Sequence, residues 1–420
     1  MESLAFLSSF DFTSIVMLFW YTTLLEIPRY TIGAIIVPAV MWSMGRRKPV
    51  SSDLSLSIVL VGHNEEKPLR TCLESLGEQT IKSTCRGFQV VVVDDGSTDR
   101  MSEVAKALQR EGKIDEFLRL EQRGGKSAGV NLALSRCTGD IVVISDIDTT
   151  LDRNALAELV GYFSDPAVGA VSGNLGVRNQ SASLMTHFQA IEYTIGLSLG
   201  RCIGDAIGLL SVISGAFGAF RRVAIESIGG QDVEVGEDAD LTMKLRRAGW
   251  KLRFAPEAYA LTDVPESVPA FIAQRLRWDR GLITIWSRKF RGMLDPRLAT
   301  FRLTDAAAII DVIFFQVILA IAFPIYIAWL LYYFGLFALT IVGATLIGYA
   351  FLDALVFVGA AAIGLRTPLS LVLYLPLYTF LQTVLVRPVR LIAIGQEFIF
   401  RSSYRDPYVP RRVMNQVEVV

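Results

Sequence analysis

Three nearly uninterrupted apolar stretches, Thr304–Phe334, Leu336–Ile363 and Pro368–Val386, occupy the last third of this sequence. A helix needs about 20 consecutive apolar residues to cross a hydrocarbon core. A helix that is apolar all round has to be buried in protein or in lipid. The region 304–400 is therefore expected to be a set of transmembrane helices, with a polar tail over 401–420. Another apolar run, Ser14–Met44, is broken only around Glu26-Ile27-Pro28-Arg29. It predicts an N-terminal transmembrane segment within 1–48, as one long kinked span or two short ones. Arg46-Arg47-Lys48 at its end place the downstream segment in the cytosol. Three C-terminal spans would then put the chain end outside, whereas Arg387, Arg390, Arg401, Arg405, Arg411 and Arg412 argue for inside. An extra span or a re-entrant helix would reconcile the two.

Between these ends, residues 49–265 have globular composition. Ser57–Val61, Gln89–Val93, Ile141–Ser145 and Val168–Val171 read as strands. Glu65–Glu78, Met101–Glu111, Ser127–Arg136 and Arg153–Phe163 read as helices. Strand–helix alternation predicts an α/β fold on a largely parallel sheet, with ligands at the carboxyl ends of its strands. The mean hydropathy of +0.43 is thus an average over two different solvents. Lys+Arg and Asp+Glu number 41 each, which excludes a polybasic nucleic-acid binder and an acidic disordered tail. Cys72, Cys85, Cys137 and Cys202 form no CxxC pair, and His63 and His187 are the two histidines. A thiol zinc site, a histidine metal cage and Ser-His-Asp chemistry are disfavoured accordingly.

Polar motifs come directly after the strands. His63-Asn64-Glu65 ends the first, and Asp94-Asp95-Gly96-Ser97 ends the second. The Asp pair suits either a strand-end turn or the donors of a ribose or nucleobase. Arg123-Gly124-Gly125-Lys126 precedes a helix; it reads as a flexible surface loop or as a phosphate cradle with Lys126 as the cation. Asp146 and Asp148, two apart after an apolar strand, project to one side. Like charges there are costly without a cation, so the pair is expected to hold Mg²⁺ or Mn²⁺ beside phosphate. Gly236-Glu237-Asp238-Ala239-Asp240 opens a helix, where the acids either complement the helix dipole or include a general base. An amphipathic helix from Ser267 to about Phe290, within an interface region 266–303, carries Gln274-Arg275-Leu276-Arg277-Trp278. Gln274, Arg277 and Trp278 share a face, and Arg275 points more to the side. Arginines beside a Trp suit an interfacial anchor, or a diphosphate clamp with a sugar platform.

Taken in this order, Asp-Asp-Gly-Ser, Asp-Ile-Asp, Gly-Glu-Asp and Gln-Arg-Leu-Arg-Trp resemble the signature of processive, membrane-integrated family-2 glycosyltransferases: cellulose, chitin, hyaluronan and poly-N-acetylglucosamine synthases and related bacterial β-glycan synthases. The resemblance covers Ser57 to Trp278. It implies a GT-A fold using a UDP-sugar and a divalent cation, in the bacterial inner membrane with a cytosolic catalytic domain. It assigns Asp94 and Asp95, beside the turn of His63, Asn64 and Glu65, to uridine. Lys126 is assigned to the diphosphate, and Asp146 and Asp148 to the metal and diphosphate. Asp238, next to Glu237, becomes the catalytic base. Ser214 and Gly215 fall near the acceptor end, and Gln274, Arg275, Arg277 and Trp278 at the diphosphate and acceptor sugar. The family often has Thr-Glu-Asp where this chain has Gly236-Glu237-Asp238, so that Thr hydroxyl has no counterpart here. The expected activity is inverting polymerisation of a UDP-sugar into a β-linked polysaccharide that crosses the membrane. Its partners would be the donor, the growing polymer, membrane lipids, and export or periplasmic subunits, with no nucleic acid. No residue points to an N-acetyl pocket, which favours UDP-glucose over UDP-N-acetylglucosamine. The competing readings are a single-addition enzyme acting on a lipid acceptor and a non-enzymatic export channel.

Overall fold

The computed structural model describes residues 16–28, 53–362, 365, 366 and 368–416. Its centre is an eight-stranded sheet. The strands are β1 (Ser55–Gly62), β2 (Gly87–Asp95), β3 (Glu116–Leu120), β4 (Ile141–Asp146), β5 (Thr150–Leu151), β6 (Val168–Val177), β7 (Phe217–Arg221) and β8 (Lys251–Thr262). They lie in the order β3-β2-β1-β4-β7-β6-β8-β5. β3, β2, β1 and β4 run parallel. β7 is antiparallel to both β4 and β6, and β5 to β8, while β6 and β8 are parallel. The sheet is therefore mixed, which corrects the expectation of a largely parallel one. A short strand buried on both faces has the same apolar pattern in either direction, so the reversal of Phe217–Arg221 leaves no local trace.

The β-branched runs form strands because both of their faces are covered. Ile58, Leu60, Val92 and Val143 face one apolar cluster; Val59, Val61, Val91, Val93, Val142 and Ile144 face the other. The alternation is the period-2 geometry of a strand. Helices α1 (Pro68–Gly77), α2 (Met101–Arg110) and α4 (Ala155–Gly161) cover the first face, and α3 (Lys126–Leu134) covers the second. Of the later helices, α5 (Leu184–Glu192) packs on α7 (Val268–Thr284) through Phe188 and Phe271, α6 (Glu237–Arg247) starts within the Gly-Glu-Asp stretch, and α7 carries Gln-Arg-Leu-Arg-Trp.

Two helical stretches, Leu303–Ala362 and Leu369–Phe400, are long and apolar enough to cross a membrane. Gly335, at φ +51°, ends helix α8 (Leu319–Phe334), and α9 (Ala338–Ala362) comes next. The break lets Ala338 and Ile341 pack with Tyr326 and Leu330. The last stretch contains α10 (Leu375–Leu381) and α11 (Arg387–Phe400), so it continues well past Val386. Arg387 is tolerated there because Glu26 of the N-terminal segment pairs with it at 2.8 Å. Most of the expected N-terminal segment, including residues 29–44 and Arg46-Arg47-Lys48, lies outside the described residues.

Gly173 in β6 is a sensitive point, because a Cβ there would lie 2.1 Å from the Phe217 ring. Gly173→Ala is expected to destabilise the domain by about 1–3 kcal/mol. Thermal unfolding in detergent checks this; an unchanged melting temperature would mean that the ring moves aside freely.

Candidate active site

The turns after β1 and β2 are built as one unit. Asn64 adopts φ +63°, a left-handed conformation that Asn tolerates. Its Oδ1 accepts the Thr98 amide at 2.8 Å, and its own amide donates to Ser97 Oγ at 2.9 Å. His63 Nδ1 donates to the Asp95 carbonyl at 2.9 Å. The Asp94 carboxylate is fully buried; it accepts the Ser97 amide at 2.8 Å and the Ser102 hydroxyl. Asp95 accepts the amides of Gly124 and Gly125 at 2.5 and 2.9 Å. The Asp pair thus organises its own turn and pins the glycine loop that presents Lys126. Gly125 sits at φ +86°, where a side chain would be strained, and this aims its amide at Asp95.

Lys126 opens α3 and is largely buried. Its ammonium bonds the Asp146 carboxylate, donates to the Gly215 carbonyl at 3.0 Å and lies 4.0 Å from Glu237. Burial opposes the charge on Lys126, but Asp146 and its acidic neighbours outweigh it and hold this lysine well above its ordinary value. On the other side of the same residue, the Gly215 amide lies 3.4 Å from Asp238 Oδ2. Glu237 and Asp238 are the first two residues of α6, where the helix dipole favours negative charge. Burial nevertheless raises the Glu237 pKa, with Lys126 counteracting it. Ser214 Oγ accepts the Ala216 amide at 3.3 Å and so shapes the loop around Gly215.

Asp148 accepts hydrogen bonds from Thr149 and Thr262 at 3.2 and 3.4 Å. Burial, and then the Asp146 charge, push its pKa up to about 6. Glu65 joins this group: burial, then Asp148 and Asp146, push it up to about 7. Carboxylates that share a site without full neutralisation behave in this way. Oxygen donors of this kind suit a hard divalent cation. Among the described residues no group of three or more His, Cys, Asp or Glu is arranged to hold a metal. Asp146 and Asp148 would be its protein ligands, with further oxygens coming from elsewhere.

The Gln-Arg-Leu-Arg-Trp stretch lies on α7. Arg277 stacks on the Tyr408 ring at 4.2 Å. Gln274 Oε1 is buried and lacks a hydrogen-bond partner. Arg275 is engaged by Glu192, at 2.9 Å for one of two bonds, and its guanidinium covers the Trp278 ring at 4.5 Å. Tyr408 is absent from the residues that the motifs single out, because 401–420 reads locally as a polar tail. Arg280 pairs with Asp406 at 3.1 Å, and Arg123 donates to the Tyr408 carbonyl at 3.1 Å. These contacts draw the segment back over the site, and the charges of Glu237, Lys126, Asp146 and Arg277 all act on the Tyr408 hydroxyl. Glu237, seconded by burial, raises its pKa strongly. Its aromatic character, shared with Tyr404 in the same segment, is the local signal for it.

Comparison with known proteins accords with this geometry. The family model described as glycosyl transferase family 2 matches residues 57–229. An N-acetylglucosaminyltransferase of Rhizobium sp. (strain N33) is 30% identical over 244 residues, which cover 55% of this chain and 54% of that one. The match thus spans about half the length of that relative. A poly-beta-1,6-N-acetyl-D-glucosamine synthase of Staphylococcus aureus (strain COL) is 25% identical over 287 residues, covering 67% of this chain and 68% of the other. Among solved structures, a mannosyltransferase from Pyrobaculum calidifontis in complex with GDP-Man and Mn²⁺ superposes with a TM-score of 0.58. That alignment covers 88% of this chain and 99% of the other at 19% identity, a likeness of fold alone. The expected preference for glucose finds no support in the relatives' names, which specify N-acetylglucosamine. Residues 57–229 thus form a glycosyl transferase family 2 domain, built on a GT-A-like mixed sheet.

Proposed function

We propose that this chain is an inverting, processive β-glycosyltransferase that polymerises UDP-N-acetylglucosamine at a membrane. The observation that carries the reading is the double use of Gly215. Its carbonyl accepts from Lys126 at 3.0 Å while its amide lies 3.4 Å from Asp238. A cation suited to a leaving diphosphate and a carboxylate suited to an attacking hydroxyl are thereby held on two sides of one residue. An in-line displacement needs that separation.

In this reading the His63–Glu65 and Asp94–Asp95 turns shape the uridine pocket. Lys126 and Arg277 face the diphosphate, where fixed positive charge stabilises the leaving group. Asp238 takes the proton from the acceptor hydroxyl as it attacks the anomeric carbon, with Glu237 beside it. One displacement turns an α-linked donor into a β-linked product. Mg²⁺ or Mn²⁺ held by Asp146 and Asp148 would neutralise diphosphate charge. Trp278 offers an aromatic face to the acceptor sugar, and Gln274 supplies a buried amide oxygen nearby. Membrane insertion of Leu303–Ala362 and Leu369–Phe400 would place a route for the polymer beside this site.

The direct test supplies purified membranes with single UDP-sugars and monitors UDP release and product length. UDP-N-acetylglucosamine is expected to give a ladder of β-linked products that an N-acetylglucosaminidase digests; a single addition would favour a lipid acceptor instead. Asp238→Asn is expected to retain UDP binding and to lose on the order of 10²–10⁴-fold in turnover. An active Asn variant would exclude Asp238 as the base. Because the Asp148 pKa is raised to about 6, a cation has to displace a proton at lower pH. Mn²⁺-dependent UDP binding is therefore expected to weaken by about tenfold per pH unit below 6, measured by calorimetry. Asp146→Ala is expected to remove the metal dependence altogether.

A further inference from the structure

We infer that Glu192 is a positioning residue for the acceptor platform, acting on Trp278 through Arg275; this rests on the reading of Trp278 proposed above. Glu192 ends α5 and binds the Arg275 guanidinium through both of its oxygens. A bidentate carboxylate fixes the plane of a guanidinium as well as its position. The Arg275 guanidinium in turn lies 4.8 Å from the Phe271 ring and 4.5 Å from the Trp278 ring. The three residues are spaced i, i+4 and i+7 on α7, so they form one row. Phe188 of α5 extends the row by an edge contact with Phe271 at 5.4 Å.

The arrangement has a consequence for binding. One face of the Trp278 indole is occupied by Arg275, so a sugar has the opposite face to stack on. The tilt of that face is set by the arginine plane, and the plane is set by Glu192. Arg275 is 9% exposed, so its charge has little water to fall back on. Gln382, and Arg390 of α11, both act on the Glu192 carboxylate and help to hold it ionised, which ties the platform to the last apolar stretch. Burial raises the Glu192 pKa, with Arg275 opposing it, as expected for a carboxylate that depends on this partner. A plain structural staple between α5 and α7 would need the ion pair but not the stacked row ending on Trp278.

The test uses the full chain in detergent with 5-fluorotryptophan incorporated, the Trp278 resonance being identified by its absence in Trp278→Phe. Glu192→Gln is expected to shift that resonance while leaving UDP affinity within about twofold of the parent. Extension of a chito-oligosaccharide is expected to fall on the order of 10- to 100-fold, a loss typical of a misplaced binding group. Glu192→Asp is expected to recover part of it. An unmoved Trp278 resonance overturns the inference, as does loss of UDP affinity in step with extension. If Glu192→Gln fails to fold because a charge is left unpaired, Glu192→Asp, which keeps the charge and the Arg275 stack but shortens the reach, is held to a smaller shift of the same resonance. Should the parent chain transfer no sugar at all, the functional reading fails, and the fluorine shift still decides the positioning role.

Discussion

The catalytic end of the sheet is held together across the chain by the buried ammonium of Lys126. It joins three separate parts of the chain: Asp146 at the end of β4, the Gly215 carbonyl before β7, and Glu237 at the start of α6. The surrounding acids exceed what this one cation can neutralise. Burial first, and then that excess, push Asp148 up to about 6 and Glu65 up to about 7. A pocket so arranged favours a further cation, together with a phosphate group that brings its own oxygens. The chemistry proposed for the site derives from this imbalance.

The same economy of charge connects the site to the apolar stretches. Arg387, Arg390 and Glu397 lie along α11. Arg387 meets Glu26, Arg390 lies 3.5 Å from Asp279 of α7, and Glu397 meets Arg288 at 2.7 Å. Isolated charges on such helices would be costly, so each one specifies a docking partner. Glu397 also accepts the Ser403 amide at 2.9 Å, which turns the chain back toward the site. Arg280 and Arg277 then receive Asp406 and Tyr408. The helix that carries the Gln-Arg-Leu-Arg-Trp stretch is thereby also the surface on which the tail is folded.

Much of this is legible in the sequence, for local reasons. Runs such as Val90–Val93 and Ile141–Ile144 announce strands by their β-branched content, and the acids just after them announce strand ends. The reversal of β7, the edge strand β3 and the long β8 are not legible. Strand direction and pairing depend on partners far away in the chain, and Lys251–Thr262 pairs with residues some eighty positions earlier. The Asp94-Asp95 pair marks the middle ground. Its place at a strand end is evident locally, but its hydrogen bonds to Ser102 and to the Gly124 and Gly125 amides are not.

The sequence by itself determined which residue types stand at strand ends, at helix starts and within apolar stretches, because periodicity and turn chemistry act over a few residues. The tertiary structure alone decided that Lys126 faces Asp146 and Gly215, that Glu192 claims Arg275, and that Tyr408 returns to the site. Those are contacts across roughly twenty to nearly three hundred residues. Burial and neighbouring charge together shift the pKa values here, and both are properties of the packed chain. The acids at 65 and 148 therefore acquire their raised pKa values only once the sheet has brought them together.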